Sequence, residues 1–490
     1  MNVLLIEPTS TSYPPLGLMK ISRYHKLLGD KVKFVTGNNR EIANEFWDKI
    51  YITSVFTYDY KKLKKTIEFY SKNLFNFENM IIGGIAATLL YDKIEKETGA
   101  RVHRGLLNTH DEKLKDIAKS HYEYSYLLDS GCSIDNLPPD YSIFDSEKKY
   151  TKIIDNAFFL YSTKGCPNKC DFCAVKILEP DYISYINIKS RINILKNEIG
   201  DRHGLIFLDN NIAASSSFDR IIDEIIECGF GAGEKMEYQK NGRTIKKNRF
   251  VDFNQGVDLR LLNKDKMRKL SKIAIDPLRL AFDDIKLANQ YINKTCLAIE
   301  NGIKKLSNYM LYNHKDSPVD LYRRMEINTE IVKDYKSENV KIFSFPMRYS
   351  PVSRTDRSYV GKNWTKREIR ALQLILQATH GIVSHSLSKY KDEDSAGFFY
   401  RAFGNDSEQF SKILLMPFNY IINRDKYEFD NKLISIWMSD YEKLSDEQRL
   451  NLKDMIKNGR IDINQYKGHE KRILKILEHY EHEHSSIEED

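Results

Sequence analysis

Twice along this chain, short apolar runs alternate with stretches of helical periodicity, and that alternation restricts the fold more than any other feature. Asn2–Ile6 is an apolar strand. Tyr13-Pro-Pro-Leu16 opens a helical segment through Leu18, Met19, Ile21, Tyr24, Leu27 and Leu28, closed by Gly29-Asp30. Lys31–Thr36 and Lys49–Val55 alternate as strands, a polar-faced helix runs through Leu63–Leu74, and Met80–Ile82 leads into Gly83 and Gly84. Parallel neighbours need a crossover, so this βαβ succession predicts a doubly wound parallel sheet with ligands at the carboxyl ends of its strands.

After a connector rich in turn formers (Gly131, Asn136-Leu-Pro-Pro-Asp140, Tyr141), six further strand and helix rounds follow. Their strands are Ala157–Ser162, Gly204–Asp209, Phe250–Gly256, Leu278–Asp283, Leu306–Leu311 and Val340–Pro346. Asn241-Gly242 between Glu237-Tyr-Gln and Thr244-Ile-Lys signals a type I′ hairpin inserted before the third. Beyond Ser350 come a polar basic loop, the helix Thr365–Thr379, a charged break at Ser386–Ala396, and helical patterns over Phe410–Leu415, Asn431–Asp440, Asp446–Lys457 and His469–Tyr480. The expected division is an α/β domain over 1–125, a linker over 126–150, a β/α unit over 151–355 and a helical region over 356–490.

The first of the six strands runs into Ser162-Thr-Lys-Gly-Cys-Pro-Asn-Lys-Cys-Asp-Phe-Cys173, which places Cys166, Cys170 and Cys173 in one C-x3-C-x2-C run. Thiolates are the usual ligands of iron–sulfur clusters, and a four-iron cluster normally takes four of them. With three, one iron is left open to a small molecule. The rival is structural zinc, which wants four tetrahedral ligands, usually as paired cysteines. Cys132, Cys228 and Cys296 are isolated, and no histidine adjoins the run.

The spacing, with Phe172 before the last cysteine, resembles the signature of the radical S-adenosylmethionine superfamily. The resemblance implies a 4Fe-4S cluster on Cys166, Cys170 and Cys173 whose open iron chelates S-adenosylmethionine and whose electron cleaves it to a 5′-deoxyadenosyl radical. It also implies a partial (β/α)6 barrel over the six rounds and a low-potential electron donor such as flavodoxin or ferredoxin. The layout of Tyr13-Pro-Pro-Leu-Gly-Leu18 and Ile81-Ile-Gly-Gly84 looks like the flavodoxin-like cobalamin-binding domain that precedes many of these enzymes. The Asp-x-His-x-x-Gly loop that supplies a cobalt ligand in the wider cobalamin family is absent. Methylthiotransferases hold a second cluster on N-terminal cysteines, and this chain has none before Cys132.

Active sites of parallel barrels lie at the carboxyl ends of the strands. Asp209-Asn210-Asn211, Asn254-Gln255 with Asp258 and Arg260, Asp283-Asp284, Asn313 and Met347-Arg348-Tyr349 all fall there, as a polar pocket or as helix caps. By resemblance, S-adenosylmethionine falls to Asp209, Asn211, Gln255, Arg260 and Asp283, with Phe172 beside its adenine. Arg354, Arg357, Lys362, Lys366, Arg367 and Arg370 form a basic group, either a solvated face or a phosphate clamp, and the histidines of the Glu481–Asp490 tail are either metal ligands or a frayed end.

Composition narrows the class without choosing a substrate. Six cysteines without a regular framework in 490 residues argue against a disulfide-stapled secreted protein, and the start Met1-Asn-Val-Leu-Leu-Ile-Glu-Pro8 lacks a signal peptide's basic flank. No apolar run approaches membrane-spanning length. The expected compartment is reducing and cytoplasmic, with no membrane partner. A formal charge of +7 with 30 Tyr and 24 Phe does not decide among nucleic acid, peptide and small metabolite. Two functions stand: a radical enzyme, acting by cobalamin-dependent methyl transfer or by a cobalamin-free rearrangement or bond formation, and a zinc-stabilised binding protein without radical chemistry.

Overall fold

A computed structural model describes the chain except residues 10, 12, 146–149, 380–382, 384–394, 424–430, 459–469 and 481–490. The tail histidines and most of the charged break expected at 386–396 lie outside the described residues. The chain is mixed α/β and divides into two compact units. The first comprises Met1–Arg279, Glu300–Ile303 and Pro351–Arg357, and the second Leu280–Ile299, Lys304–Ser350 and Ser358–Asp490. The first thus groups the N-terminal sheet, the connector and three of the six later strands.

Five parallel strands form the N-terminal sheet: β1 (Asn2–Glu7), β2 (Lys31–Thr36), β3 (Lys49–Thr53), β4 (Met80–Gly83) and β5 (Arg101–Val102). Their order, β2-β1-β3-β4-β5, is that of a flavodoxin-like doubly wound sheet. From Val3 onward β1 is buried at every position, as a parallel strand covered on both faces must be. Ile6, Ile50, Ile52, Met80 and Ile82 pack there with Leu63, Ile67 and Ile94. The helix expected through Leu74 ends earlier, at Tyr70, followed by the 3-10 turn Ser71–Asn73. At the end of β4, Gly84 has φ +93°, and a Cβ there would lie 2.6 Å from the Ser54 carbonyl oxygen. Close approach of backbone to backbone therefore accounts for this glycine.

The first unit also holds a second parallel sheet of β6 (Ala157–Leu160), β7 (Gly204–Phe207) and, after the antiparallel hairpin β8 (Lys235–Lys240) and β9 (Arg243–Asn248), β10 (Phe250–Phe253). The hairpin turns at Asn241 (φ 51°) and Gly242 (φ 72°), both left-handed as a type I′ turn requires. In this sheet β7 is central, in order β10-β7-β6. The free edge of β6 is closed by one side chain. Tyr141 Oη accepts from Phe159 N at 2.8 Å and donates to Ala157 O at 3.3 Å, so the connector occupies the place of a neighbouring strand.

Strands β11 (Leu278–Ala281), β12 (Lys305–Tyr312) and β13 (Lys341–Arg348) form a third sheet, in which β12 and β13 are parallel. Within the second unit, the helix Pro318–Asp334 starts with a Ser317/Asp320 capping box and Pro318 at its first position. A buried polar chain supports it, from Asn308 Nδ2 to Tyr291 Oη (2.7 Å), on to Asn328 Oδ1 (2.7 Å), and from Asn328 Nδ2 to Ser344 Oγ (2.8 Å). The C-terminal helices Lys366–Ala378, Ser407–Leu415, Asn431–Glu442 and Asp446–Ile456 lie where periodicity places them; Phe418–Asn423 is additional. The basic group is not one face. Arg367 is fully buried, donates to Leu415 O and Met416 O, and lies between the rings of Phe418 and Tyr480. No helix of the described residues is long and apolar enough to cross a membrane.

Candidate functional site

The cysteine loop leaves the buried strand β6 and is fastened at its base before the first cysteine. Asp209, at the end of the neighbouring β7 and fully buried, accepts from Ser162 N at 3.0 and 3.1 Å, from Ser162 Oγ at 2.8 Å, from Thr163 Oγ1 at 2.6 Å, and from Thr163 N. Burial pushes this carboxyl up, against the hydrogen bonds that lower it. Lys164 and Ile183 then exchange backbone hydrogen bonds of 3.0 and 2.9 Å, pairing the start of the loop with the chain that returns from it. Gly165 follows at φ +73°, and an added Cβ would stand 2.4 Å from Asp181 O, so only glycine fits. Its N–H donates to Glu179 Oε2 at 2.5 Å, which also accepts from Asn210 Nδ2 at 2.8 Å.

Two of the three sulfurs in the loop meet a hydrogen-bond donor. Asn211 Nδ2 lies 3.3 Å from Cys166 Sγ and Val175 N lies 3.5 Å from Cys173 Sγ, while the Arg260 guanidinium carries its charge near Cys170. All three thiols are half-buried. Burial raises the Cys173 thiol, the neighbouring Cys170 and Cys166 raise it further, and the Val175 N–H opposes both.

Asp258 joins the donors. Its Oδ2 accepts from Asn168 Nδ2 in the loop at 2.8 Å and from Asn211 Nδ2 at 3.3 Å, while Arg260 grips both carboxylate oxygens through Nε and Nη2, each at 2.8 Å. Burial raises the Asp258 carboxyl, but the bonds from Arg260 and Asn168 outweigh it and hold it below its ordinary range.

The sequence-predicted residues separate into those that meet the cysteines and those that build the frame. Asn211 touches the Cys166 sulfur, the Arg260 charge lies near Cys170, and Phe172 is half-buried in the loop itself. Asn211 Oδ1 is buried without a hydrogen-bond partner, an acceptor facing no donor beside Cys166. Gln255 is exposed, its Nε2 3.5 Å from Asn254 Oδ1. Asp209 accepts from Ser162 and Thr163 and is fully buried. Asp283 lies in the second unit and accepts from Leu311 N at 2.9 Å. Asn313, likewise a strand end, holds Tyr349 O, Tyr359 O and Gly361 N. Asp258, expected only as one of the strand-end polar residues, and Glu179, which carries no sequence signal, stand at the centre of the site.

Among the described residues, no group of three or more His, Cys, Asp or Glu side chains is arranged to hold a single metal ion. Tetrahedral zinc requires four convergent ligands, whereas a cubane takes one thiolate per iron across a larger body. The other cysteines lie elsewhere, Cys132 bonded to Leu127 O and Cys228 buried. In the N-terminal sheet, the Gly83-Gly84 turn is explained by packing on Ser54, so it does not define a corrin cradle. A cavity of about 430 Å³ lies away from the cysteines, at the opposite ends of β6 and β10, lined by Thr11, Asn156, Ala157 and Phe250.

No protein-family model and no curated protein matches the chain. Among solved structures it is similar to the cobalamin-dependent S-adenosylmethionine radical enzyme OxsB with aqua-cobalamin and S-adenosylmethionine bound, at 12% identity over 93% of this chain and 70% of that one, with a TM-score of 0.48. The apo, selenomethionine-labelled form of OxsB is similar at 11% identity, with the same coverage and a TM-score of 0.44. At that identity and score the likeness carries no functional weight, and the functional reading rests on the residues.

Proposed function

We propose that this chain is a radical S-adenosylmethionine enzyme with a 4Fe-4S cluster on Cys166, Cys170 and Cys173. The observation that carries this reading is the loop itself, in which three half-buried thiols share one short run, Asn211 and Val175 donate to two of them, and the buried Asn211 Oδ1 stands without a partner. Once bound, such a cluster supplies one-electron reductive cleavage of S-adenosylmethionine, with the electron delivered by a flavodoxin- or ferredoxin-type donor.

The chain's own residues then bind and orient the cofactor. Asn211 Oδ1 accepts from its amino group. Arg260, whose Nε and Nη2 hold Asp258, keeps its Nη1 donors for the carboxylate, and exposed Gln255 adds a neutral donor. Phe172 provides a ring beside the adenine. Asp209 and Glu179 keep the loop in place without touching the cofactor. Methyl transfer with cobalamin on the N-terminal sheet is the version of the reaction we put forward.

The test is anaerobic purification with iron, acid-labile sulfide and zinc analysis, followed by reduction with S-adenosylmethionine and assay for 5′-deoxyadenosine. Cys166→Ala, Cys170→Ala and Cys173→Ala each lose cluster and product, while Cys132→Ala, Cys228→Ala and Cys296→Ala retain both. Stoichiometric zinc without sulfide, or full activity in Cys170→Ala, overturns the proposal.

A further inference from the structure

We infer that Asp258 is a positioning residue that sets the reduction potential of the proposed cluster by holding the Asn211 amide against the Cys166 sulfur and the Arg260 charge near Cys170. The inference rests on the iron–sulfur reading of the loop and assigns Asp258 a task that cofactor binding does not require.

The geometry begins with a shared donor. The Asn211 amide nitrogen is 3.3 Å from Asp258 Oδ2 and 3.3 Å from Cys166 Sγ, so one NH2 group serves a carboxylate and a sulfur together. Turning the amide over would aim Oδ1 at both acceptors. Asp258 thereby fixes which end of Asn211 faces Cys166. Arg260 is held by a two-point fork, Nε and Nη2 each 2.8 Å from the Asp258 oxygens, and a planar guanidinium so gripped cannot swing away from Cys170. Asn168, between Cys166 and Cys170 in the chain, donates to the same carboxylate at 2.8 Å, so the loop is tied to the residue that aims the donors.

Hydrogen bonds to cluster sulfurs are one of the means by which proteins set the potential of such clusters. Reduction adds an electron, and donors at the thiolates stabilise the reduced form more than the oxidised form. Asn211 and Arg260 therefore raise the potential. The Asp258 charge by itself does the reverse, because a nearby anion opposes the added electron. The sign of the change on removing Asp258 distinguishes the roles: loss of a bare charge raises the potential, and loss of the group that aims two donors lowers it.

The experiment uses the full chain, purified anaerobically, with iron and sulfide measured in each sample. The midpoint potential is read by spin-resonance titration with a chemical reductant and without S-adenosylmethionine, so cofactor affinity does not enter. Asn211→Leu, Arg260→Leu and Asp258→Ala are each expected to lower the reduced-to-oxidised ratio at a fixed potential about tenfold, a shift of about 59 mV for one electron. A higher or unchanged potential in Asp258→Ala that retains iron overturns the positioning role. Should that variant lose its iron, unchanged potentials in Asn211→Leu and Arg260→Leu overturn the inference, and lowered ones support it. A wild-type protein without iron and sulfide removes the cluster reading, and this inference with it.

Discussion

Lys164, two residues ahead of Cys166, is buried with its Nζ 3.2 Å from the carboxylate of Asp135 in the connector. Lys20, on the helix Leu16–Leu27, reaches the same carboxylate at 3.0 Å, and Lys164 Nζ lies 3.9 Å from Glu179. Both lysines face the ring of Tyr161, at 3.8 Å for Lys164 and 5.2 Å for Lys20. The first helix, the connector and both ends of the cysteine loop thus meet in one buried ionic group. Removing one partner of a buried pair leaves a charge without compensation, at a cost of about 3–5 kcal/mol. Asp135→Ala is accordingly expected to lower unfolding stability by about that much, read by urea denaturation. A loss under about 1 kcal/mol would show that water or a rearranged Glu179 replaces Asp135.

The same group predicts a pH response. Burial lowers Lys20 from its ordinary 10.5 to about 8, Asp135 opposes the fall, and Lys164 and Arg191 add to it. Lys164, with Asp135, Tyr161 and Glu179 around it, is raised despite its burial. Lys20 is therefore the lysine that gives up its proton first. Between about 8 and 10.5 the unfolded chain binds more protons at Lys20 than the folded one, so its contribution to stability grows as pH rises through that window. The gain is at most about 3 kcal/mol. Lys164 opposes this only as pH rises through its higher folded value. Denaturation midpoints of wild type and Lys20→Met across the window check the sign: wild type gains on the variant as pH rises if Lys20 titrates as described, and the difference stays constant if it does not.

The fold was legible in the sequence because its determinants are local and periodic. Buried parallel strands such as Leu4–Ile6 and Leu205–Phe207 must be apolar runs, and Asn241-Gly242 announces its own turn. Cys166, Cys170 and Cys173 were legible because three thiols at fixed spacing are rare. The partners of the strand-end residues were not. Asp209 and Asn211 sit two positions apart after one strand, yet one faces Ser162 and Thr163 while the other faces Cys166. Lys20 lies in a helix whose spacing gave no reason to bury an ammonium group, and its partner Asp135 is 115 residues away. Charge pairing across such separations follows from tertiary packing, which periodicity does not encode.

The N-terminal sheet gives a prediction that can fail cleanly. If it presents cobalamin, the anaerobic full chain binds hydroxocobalamin stoichiometrically. Lacking the Asp-x-His-x-x-Gly loop, it holds cobalt without imidazole coordination, visible in the absorption and spin-resonance spectra. The absence of corrinoid binding would assign this sheet to substrate binding or to framework and leave the cluster reading untouched.

The sharpest test compares Asp209 and Asn211, both placed on the cofactor by resemblance, because their hydrogen bonds reach different partners. Asp209→Ala removes the acceptor of two backbone N–H groups and two hydroxyls at the root of the cysteine loop. Buried donors left unpaired cost about 1–3 kcal/mol each. That variant is expected to lose iron and to unfold more readily, and no cofactor affinity then has meaning for it. Asn211→Ala leaves the root of the loop intact and removes the orphaned acceptor Oδ1 beside Cys166. A hydrogen bond to a charged amino group is worth about 1.5–3 kcal/mol, so affinity for S-adenosylmethionine should fall by about one to two orders of magnitude while iron is kept. Iron content and cofactor binding by calorimetry, measured on the two variants side by side, decide the matter. Full iron with weakened binding in Asp209→Ala would return that carboxylate to the cofactor and refute the framework role assigned to it.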